Sequence, residues 1–307
     1  MRLSPEQLQQ IERTVRRAPE VIVRISAPQS NDFDAVQKYL DLIARQGELR
    51  LETDSAELMG GPRLGRRLME EMDLDLEEYR RRPELTVPRG HRLPKLVHKI
   101  VLSMPQGTSC PRLLSAARNF LREQFGNRHR YAFVLHAHKA HPYVHVVVKA
   151  VSEHGVRLHI KKPTLRKWRL EFARHLREQN IAANATERAL RGQIRESKPN
   201  TLYHTELRGE SIWLQLRTDA VTSELMRRGL QVEPGKVKLV QTRKEVQRRW
   251  RVIRQLLMTQ GARGLAEEVG RFVDAMQPPM TAKEQLARQL SEQVRHRRAG
   301  TLPLVGR

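Results

Sequence analysis

Two runs rich in β-branched and aromatic residues, YAFVLHAH (131–138) and YVHVVVKAVS (143–152), stand four residues apart, and four of the chain's 12 histidines fall within residues 136–145. Such runs form strands, and Lys139 to Pro142 is a hairpin-length connection. Side chains alternate along a strand, so His136 and His138 share one face, and Tyr143 and His145 share one face of the partner. With Lys139 to Pro142 as the turn, 138 opposes 143, 136 opposes 145, and all four rings converge. Opposed Cβ atoms lie ~4.5–5.5 Å apart, close enough for several imidazoles to share one divalent cation. The plainer alternative is a set of solvent-facing polar residues, or core histidines satisfied by hydrogen bonds. Cys110 is the only thiol, which excludes a cysteine-rich structural zinc site and favours an open site completed by water or substrate.

The rest of the chain supplies partners for that hairpin. Ser4 and Pro5 start a peripheral helix through Leu8, Ile11 and Val15. VIVRISA (21–27) reads as a buried strand, and Ser30 to Asp32 open a helix with Phe33, Val36, Leu40 and Ile43 on one face, ending near Gly47. GELRLET is a probable strand, followed after Gly60, Gly61 and Pro62 by a helix through Leu64, Leu68 and Met72. Residues 79–94 read as an exposed basic loop, and KLVHKIVLSMP (95–105) as a strand. Pro111 opens a helix through Leu114, Ala117, Leu121 and Phe125, and a long helix through Trp168, Phe172 and Leu176 follows the hairpin. The expected fold is α+β, an antiparallel central sheet with flanking helices followed by a mostly helical C-terminal region. The expected divisions are an N-terminal helix (1–19), a core domain (20–195) and a basic helical region (196–307), with ESKPN (196–200) as linker and AGTLPLVGR as a tail.

Over 307 residues, 57 Lys and Arg face 34 Asp and Glu, a formal net charge of +23. A surplus of this size favours nucleic acid or an anionic membrane surface, because each cation that neutralises a phosphate releases a counterion. No run approaches the ~18 apolar residues of a membrane span, and the first residues lack the apolar centre of a secretory signal. A single cysteine suits a reducing compartment. The expectation is therefore a cytoplasmic protein without membrane insertion.

The segments GELRLET, KLVHKIVLSMPQGT, RNFLREQFGNRHRYAFVLHAHKAHPYVHVVVKAVSEHGVRLHI and LRKWRLEFARHLREQNIAANATERALRG together resemble the DNA relaxases of conjugative and mobilisable plasmids, in the P-type mobilisation group of the HUH endonucleases. The resemblance covers roughly residues 20 to 195, with weaker similarity beyond. It implies nicking and rejoining of one strand at a plasmid or integrative-element transfer origin, through a tyrosine that stays attached to the 5′ phosphate. It also implies a divalent metal ion (Mg, Mn or Zn), single-stranded and duplex DNA at the origin as partners, and contact with accessory relaxosome proteins and a coupling protein. The chain departs from the family at two places. The family's hairpin reads His, any, Asp, then a turn into His, apolar, His; here His138 stands at the Asp and Tyr143 at the first His of the pair. The implied metal set is His136, His138 and His145, with His141 in reserve and Tyr143 as an indirect metal or phosphate contact. The family's nucleophilic tyrosine precedes the stretch matched by IARQGELRLET, where this chain has Leu42. Tyr39, three residues earlier on nearly the same helical face, is the candidate catalytic residue, displaced by about 4.5 Å along the axis; packing on the sheet is its alternative role.

Cleaving a phosphodiester calls for a cation on the phosphate and a nucleophile in line with the leaving oxygen. A tyrosyl ester conserves the bond for rejoining. Asp41 or Glu123 would assist in place of the missing aspartate, each being equally an ordinary surface carboxylate. Arg66, Arg67, Arg80, Arg81, Arg82, Lys161, Lys162, Arg166 and Lys167 form the expected phosphate-tracking surface, with Trp168 stacking on a base. Arg243, Lys244, Arg248, Arg249, Arg251 and Arg254, with Trp250, are a second cluster, for duplex DNA or a partner. Two further readings stand beside the relaxase. One is a nucleophile-deficient relative acting as an accessory origin DNA-binding protein; the other is a replication initiator of the same chemistry.

Overall fold

In a computed structural model, residues 2–26, 32–74, 95–137, 141–193, 212–227 and 229–298 are described. In chain order they form α1 (Pro5–Val15), β1 (Ile22–Ile25), α2 (Phe33–Ile43), β2 (Leu51–Thr53), β3 (Leu58–Met59), α3 (Leu64–Glu71), β4 (Val97–Ser103), α4 (Cys110–Phe125), β5 (Tyr131–His136), β6 (Tyr143–Lys149) and α5 (Lys162–Glu178). The helices α6 (Ile212–Arg227), α7 (Gly235–Thr259), α8 (Arg263–Asp274) and α9 (Ala282–Arg298) follow. The chain divides into two compact units, residues 17–185 and residues 1–16 with 186–307.

Residues 17–185 are built on one six-stranded sheet in the order β1-β4-β6-β5-β2-β3, with neighbouring strands antiparallel. The apolar runs of β4 and β6 place them at the centre, where both faces are covered. One face carries Ile100, Leu102, Phe133, Val144 and Val146 against Leu113, Phe120 and Phe125 of α4 and Phe172 of α5. The other carries Val97, Val134 and Val147 against Val36, Leu40 and Ile43 of α2 and Leu64 and Leu68 of α3. This is the expected α+β layer with helices on an antiparallel sheet. Asp32 starts α2 by accepting from the Ala35 amide at 3.1 Å. Helices α2 and α3 approach closely because Gly65 has no side chain: a Cβ there would meet the Gln37 carbonyl oxygen at 2.7 Å.

The hairpin register differs from the sequence expectation. His136 opposes Tyr143 and Val134 opposes His145, so β5 ends at His136 and six residues, not four, connect the strands. The slip is by two, which preserves the faces of all side chains; alternation fixes that parity but not which even offset forms. Pro142 is held outside the ladder, its carbonyl accepting from the Met104 amide and the Ser103 hydroxyl, both at 3.3 Å.

In the other unit, Ile11 of α1 shares a core with Val246, Trp250 and Leu257 of α7 and with Val269 and Phe272 of α8. Ser4 and Gln7 form the capping box of α1, the Ser4 hydroxyl accepting from the Gln7 amide at 3.2 Å. Trp250 is anchored, its indole N–H donating to the Leu190 carbonyl at 2.8 Å. Its place is the helical core, not a nucleic-acid surface. The segment ESKPN, the tail and the loop 79–94 lie outside the described residues.

Candidate active site

Even positions of β5 and odd positions of β6 point to the α2 side of the sheet, which gathers His136, Tyr143 and His145 in one corner. Their ring centroids stand 4.9 Å apart for His136 and His145, 5.1 Å for Tyr143 and His145, and 5.1 Å for His136 and Tyr143. Helix α2 closes over them with two polar contacts. The Tyr39 hydroxyl lies 3.0 Å from Nδ1 of His145, the two rings meeting edge to face. His136, 7% exposed, donates from Nε2 to the Ile43 carbonyl at 2.7 Å. A carbonyl only accepts, so Nε2 of His136 carries the hydrogen of this bond.

Burial shapes the electrostatics of the corner. Burial pushes the Tyr39 phenol up to about 12; a hydrogen bond with Ser26 opposes the rise and Tyr143 adds to it. Lys99 of β4 is 3% exposed, and its Nζ stands 4.1 Å from the centroid of the Tyr39 ring. Burial holds the Lys99 ammonium below the usual lysine range.

The other expected site residues are scattered. Leu42 is 67% exposed, while Tyr39 turns toward the hairpin. A three-residue step rotates the helix by about 60°, enough at the rim of a packed face to part the two side chains. His138, Arg80, Arg81 and Arg82 lie outside the described residues, and His141 is exposed in the turn. Arg66 and Arg67 are exposed on α3, Arg66 pairing with Glu70 at 3.1 Å and Arg67 donating to the Gly60 carbonyl at 3.0 Å. Lys161, Lys162, Arg166 and Lys167 are exposed at the N-terminal end of α5. The Leu158 amide just before them bonds to the Ala150 carbonyl, so they begin at the end of β6 away from His145. Trp168 is 4% exposed and packs on Phe125 with ring centroids 5.3 Å apart; it belongs to the core and has no face to offer a base. Asp41 accepts from the Gly65 amide at 2.7 Å and so caps α3. Glu123 is held on the opposite side of the sheet by Arg174 and by His175 Nε2 at 2.9 Å. Lys99 and Ser26 were not legible as site residues, although a lysine in the otherwise apolar KIVL run was a signal that its position has a purpose.

Among the described residues, no three His, Cys, Asp or Glu side chains form a group able to hold a metal ion. What the corner offers is two imidazoles, each with one nitrogen engaged by an oxygen, an arrangement that orients ring ligands. A third imidazole would have to come from outside that set.

Residues 62–181 match the family model for a relaxase, MobA/VirD2-like, nuclease domain. This segment is similar to relaxase nuclease domains. The chain is also similar to the T-DNA border endonuclease VirD2 of Agrobacterium fabrum, 31% identical over 115 residues, 34% of this chain and 26% of that protein. The match thus spans about a quarter of that relative's length. The matched segment runs from α3 through α5 and contains Lys99, His136, Tyr143 and His145. Helix α2, which carries Tyr39, precedes it.

Proposed function

We propose that the protein nicks and rejoins one DNA strand at the transfer origin of a plasmid or integrative element, with Tyr39 as nucleophile and a tyrosyl-phosphate intermediate. The observation that carries this reading is the 3.0 Å contact between the Tyr39 hydroxyl and His145 Nδ1. In the metal-free tautomer with the lone pair on Nδ1, His145 receives the phenol proton; with a hydrogen on Nδ1, it donates to the phenolate oxygen. Both arrangements favour the oxygen that attacks. The Tyr39 oxygen bonds to phosphorus, the P–O3′ bond breaks, the 3′ oxygen leaves as a hydroxyl after protonation, and the 5′ end stays on the protein. Rejoining is the reverse.

Nδ1 of His136, Nε2 of His145 and an imidazole from His138 would hold the divalent cation, whose charge would neutralise the scissile phosphate. His141 and Tyr143 would contact the phosphate. Arg66 and Arg67, with Arg80 to Arg82, and separately Lys161, Lys162, Arg166 and Lys167, would track the backbone of the strand away from the corner. Duplex DNA, accessory relaxosome proteins and a coupling protein are the remaining partners of this reading.

The accessory DNA-binding reading is favoured by one observation, the burial that pushes the Tyr39 phenol up to about 12. A supercoiled plasmid carrying the cognate origin separates the two. The relaxase reading expects open circles after detergent and protease, nicked at one position on one strand by primer extension. Retention of the plasmid without any nick would favour the accessory protein.

A further inference from the structure

Lys99 sits where an apolar side chain would fill the core more cheaply. On β4 it opposes Val147 of β6 and points to the α2 side, the face whose core includes Val36, Leu40 and Val147. An ammonium is rarely kept at 3% exposure without a task. Its Nζ lies over the face of the Tyr39 ring, 4.1 Å from the centroid, in cation–π geometry. Among the described residues, the polar or titratable groups around this corner include Ser26 after β1, Tyr39 of α2, His136 of β5, and Tyr143 and His145 of β6, while Asp41 of α2 accepts from the Gly65 amide.

We propose that Lys99 is a positioning residue for the transesterification, supplying the countercharge to the negative charge that builds on the Tyr39 oxygen. The inference rests on Tyr39 being the nucleophile. Approach over the ring face leaves the hydroxyl itself open to His145 and to phosphorus. In the forward step the Tyr39 oxygen gains its bond to phosphorus as P–O3′ breaks and the 3′ oxygen takes up a proton. In the reverse step the 3′ hydroxyl attacks, the Tyr39–P bond breaks, and the departing phenolate again lies beneath Lys99 before it is protonated. One fixed cation therefore serves both directions, which suits an enzyme whose covalent intermediate must be made and undone.

The test uses the full chain and the variants Lys99→Met, Lys99→Arg and Tyr39→Phe, with a single-stranded oligonucleotide carrying the origin. Lys99→Met should slow adduct formation and rejoining alike by about 10- to 100-fold, with oligonucleotide affinity within about twofold of the wild type and an unfolding midpoint no lower. Lys99→Arg should recover much of the rate, which a purely structural role would not predict. A readout without DNA accompanies these: labelling of Tyr39 by a sulfonyl fluoride, mapped by peptide mass spectrometry, should fall in Lys99→Met while the other tyrosines are unchanged. A folded Lys99→Met protein that cleaves and labels like the wild type would overturn the proposal. A wild type that forms no Tyr39 adduct, yet loses Tyr39 labelling in Lys99→Met, would instead remove the nucleophile reading and leave the charge effect standing.

Discussion

At the scale of the residue, the corner depends on two histidines with different duties. His136 is buried and spends one nitrogen on the Ile43 carbonyl, so it joins the hairpin to the last residue of α2. His136→Ala should lower stability by ~1–3 kcal/mol, because it strands that carbonyl as well as removing the ring; urea unfolding would show it, and an unchanged midpoint would mean that the bond is dispensable. His145 faces the Tyr39 hydroxyl instead. Truncating it to Ala should cost on the order of 10² in the rate of adduct formation, read in single turnover, with less effect on unfolding. The convergence of these rings was legible in the sequence because side-chain alternation on a strand is strict. The parting of Tyr39 from Leu42 was not, because a helical face has no sharp edge and only the packed neighbour decides which residue lies within it.

At the scale of the element, the strands and helices followed their patterns, while the offset of the hairpin escaped. Alternation says which residues share a face; the contacts of Pro142 with Ser103 and Met104 lie 39 and 38 positions away in sequence and leave no local trace. Close helix approach was equally hidden. Gly65→Ala would push a Cβ against the backbone of α2 and should destabilise the domain by ~1–3 kcal/mol. The same change should weaken cleavage by shifting Tyr39, and wild-type cleavage with wild-type stability would contradict that packing. Strand β4 carries a pH dependence of its own. His98 is buried with Nε2 3.0 Å from the Leu158 carbonyl, and burial pushes it down from 6.5 to about 4. Between those values the unfolded chain holds the extra proton, so this contribution is whole above about pH 6.5 and is lost as pH falls toward 4. It amounts to on the order of 3 kcal/mol. Urea unfolding at pH 7 and pH 4.5 should show a smaller acid loss for His98→Gln than for the wild type; equal losses would assign the effect elsewhere.

At the scale of the whole molecule, the surplus of 57 basic over 34 acidic residues announced a polyanion before any element was placed. It could not say which basic groups lie near the chemistry, since Lys161 and Lys162 sit at the far end of the strands and Trp168 is core. Binding of single-stranded DNA should weaken linearly in log affinity against log salt, with a slope of about −0.7 for each phosphate neutralised. Fluorescence anisotropy from low to moderate salt would measure it, and a flat response would remove the phosphate-tracking surface. Among the described residues no helix is long and apolar enough to cross a membrane. The central claim is that Tyr39 becomes covalently joined to DNA. Its most direct test is incubation of the wild type and Tyr39→Phe with origin oligonucleotide in Mn²⁺ or EDTA, followed by a denaturing gel and peptide mass mapping. The account predicts a metal-dependent adduct on Tyr39 that is absent from the Phe variant; an adduct on another residue, or tight salt-sensitive binding with none, would contradict it.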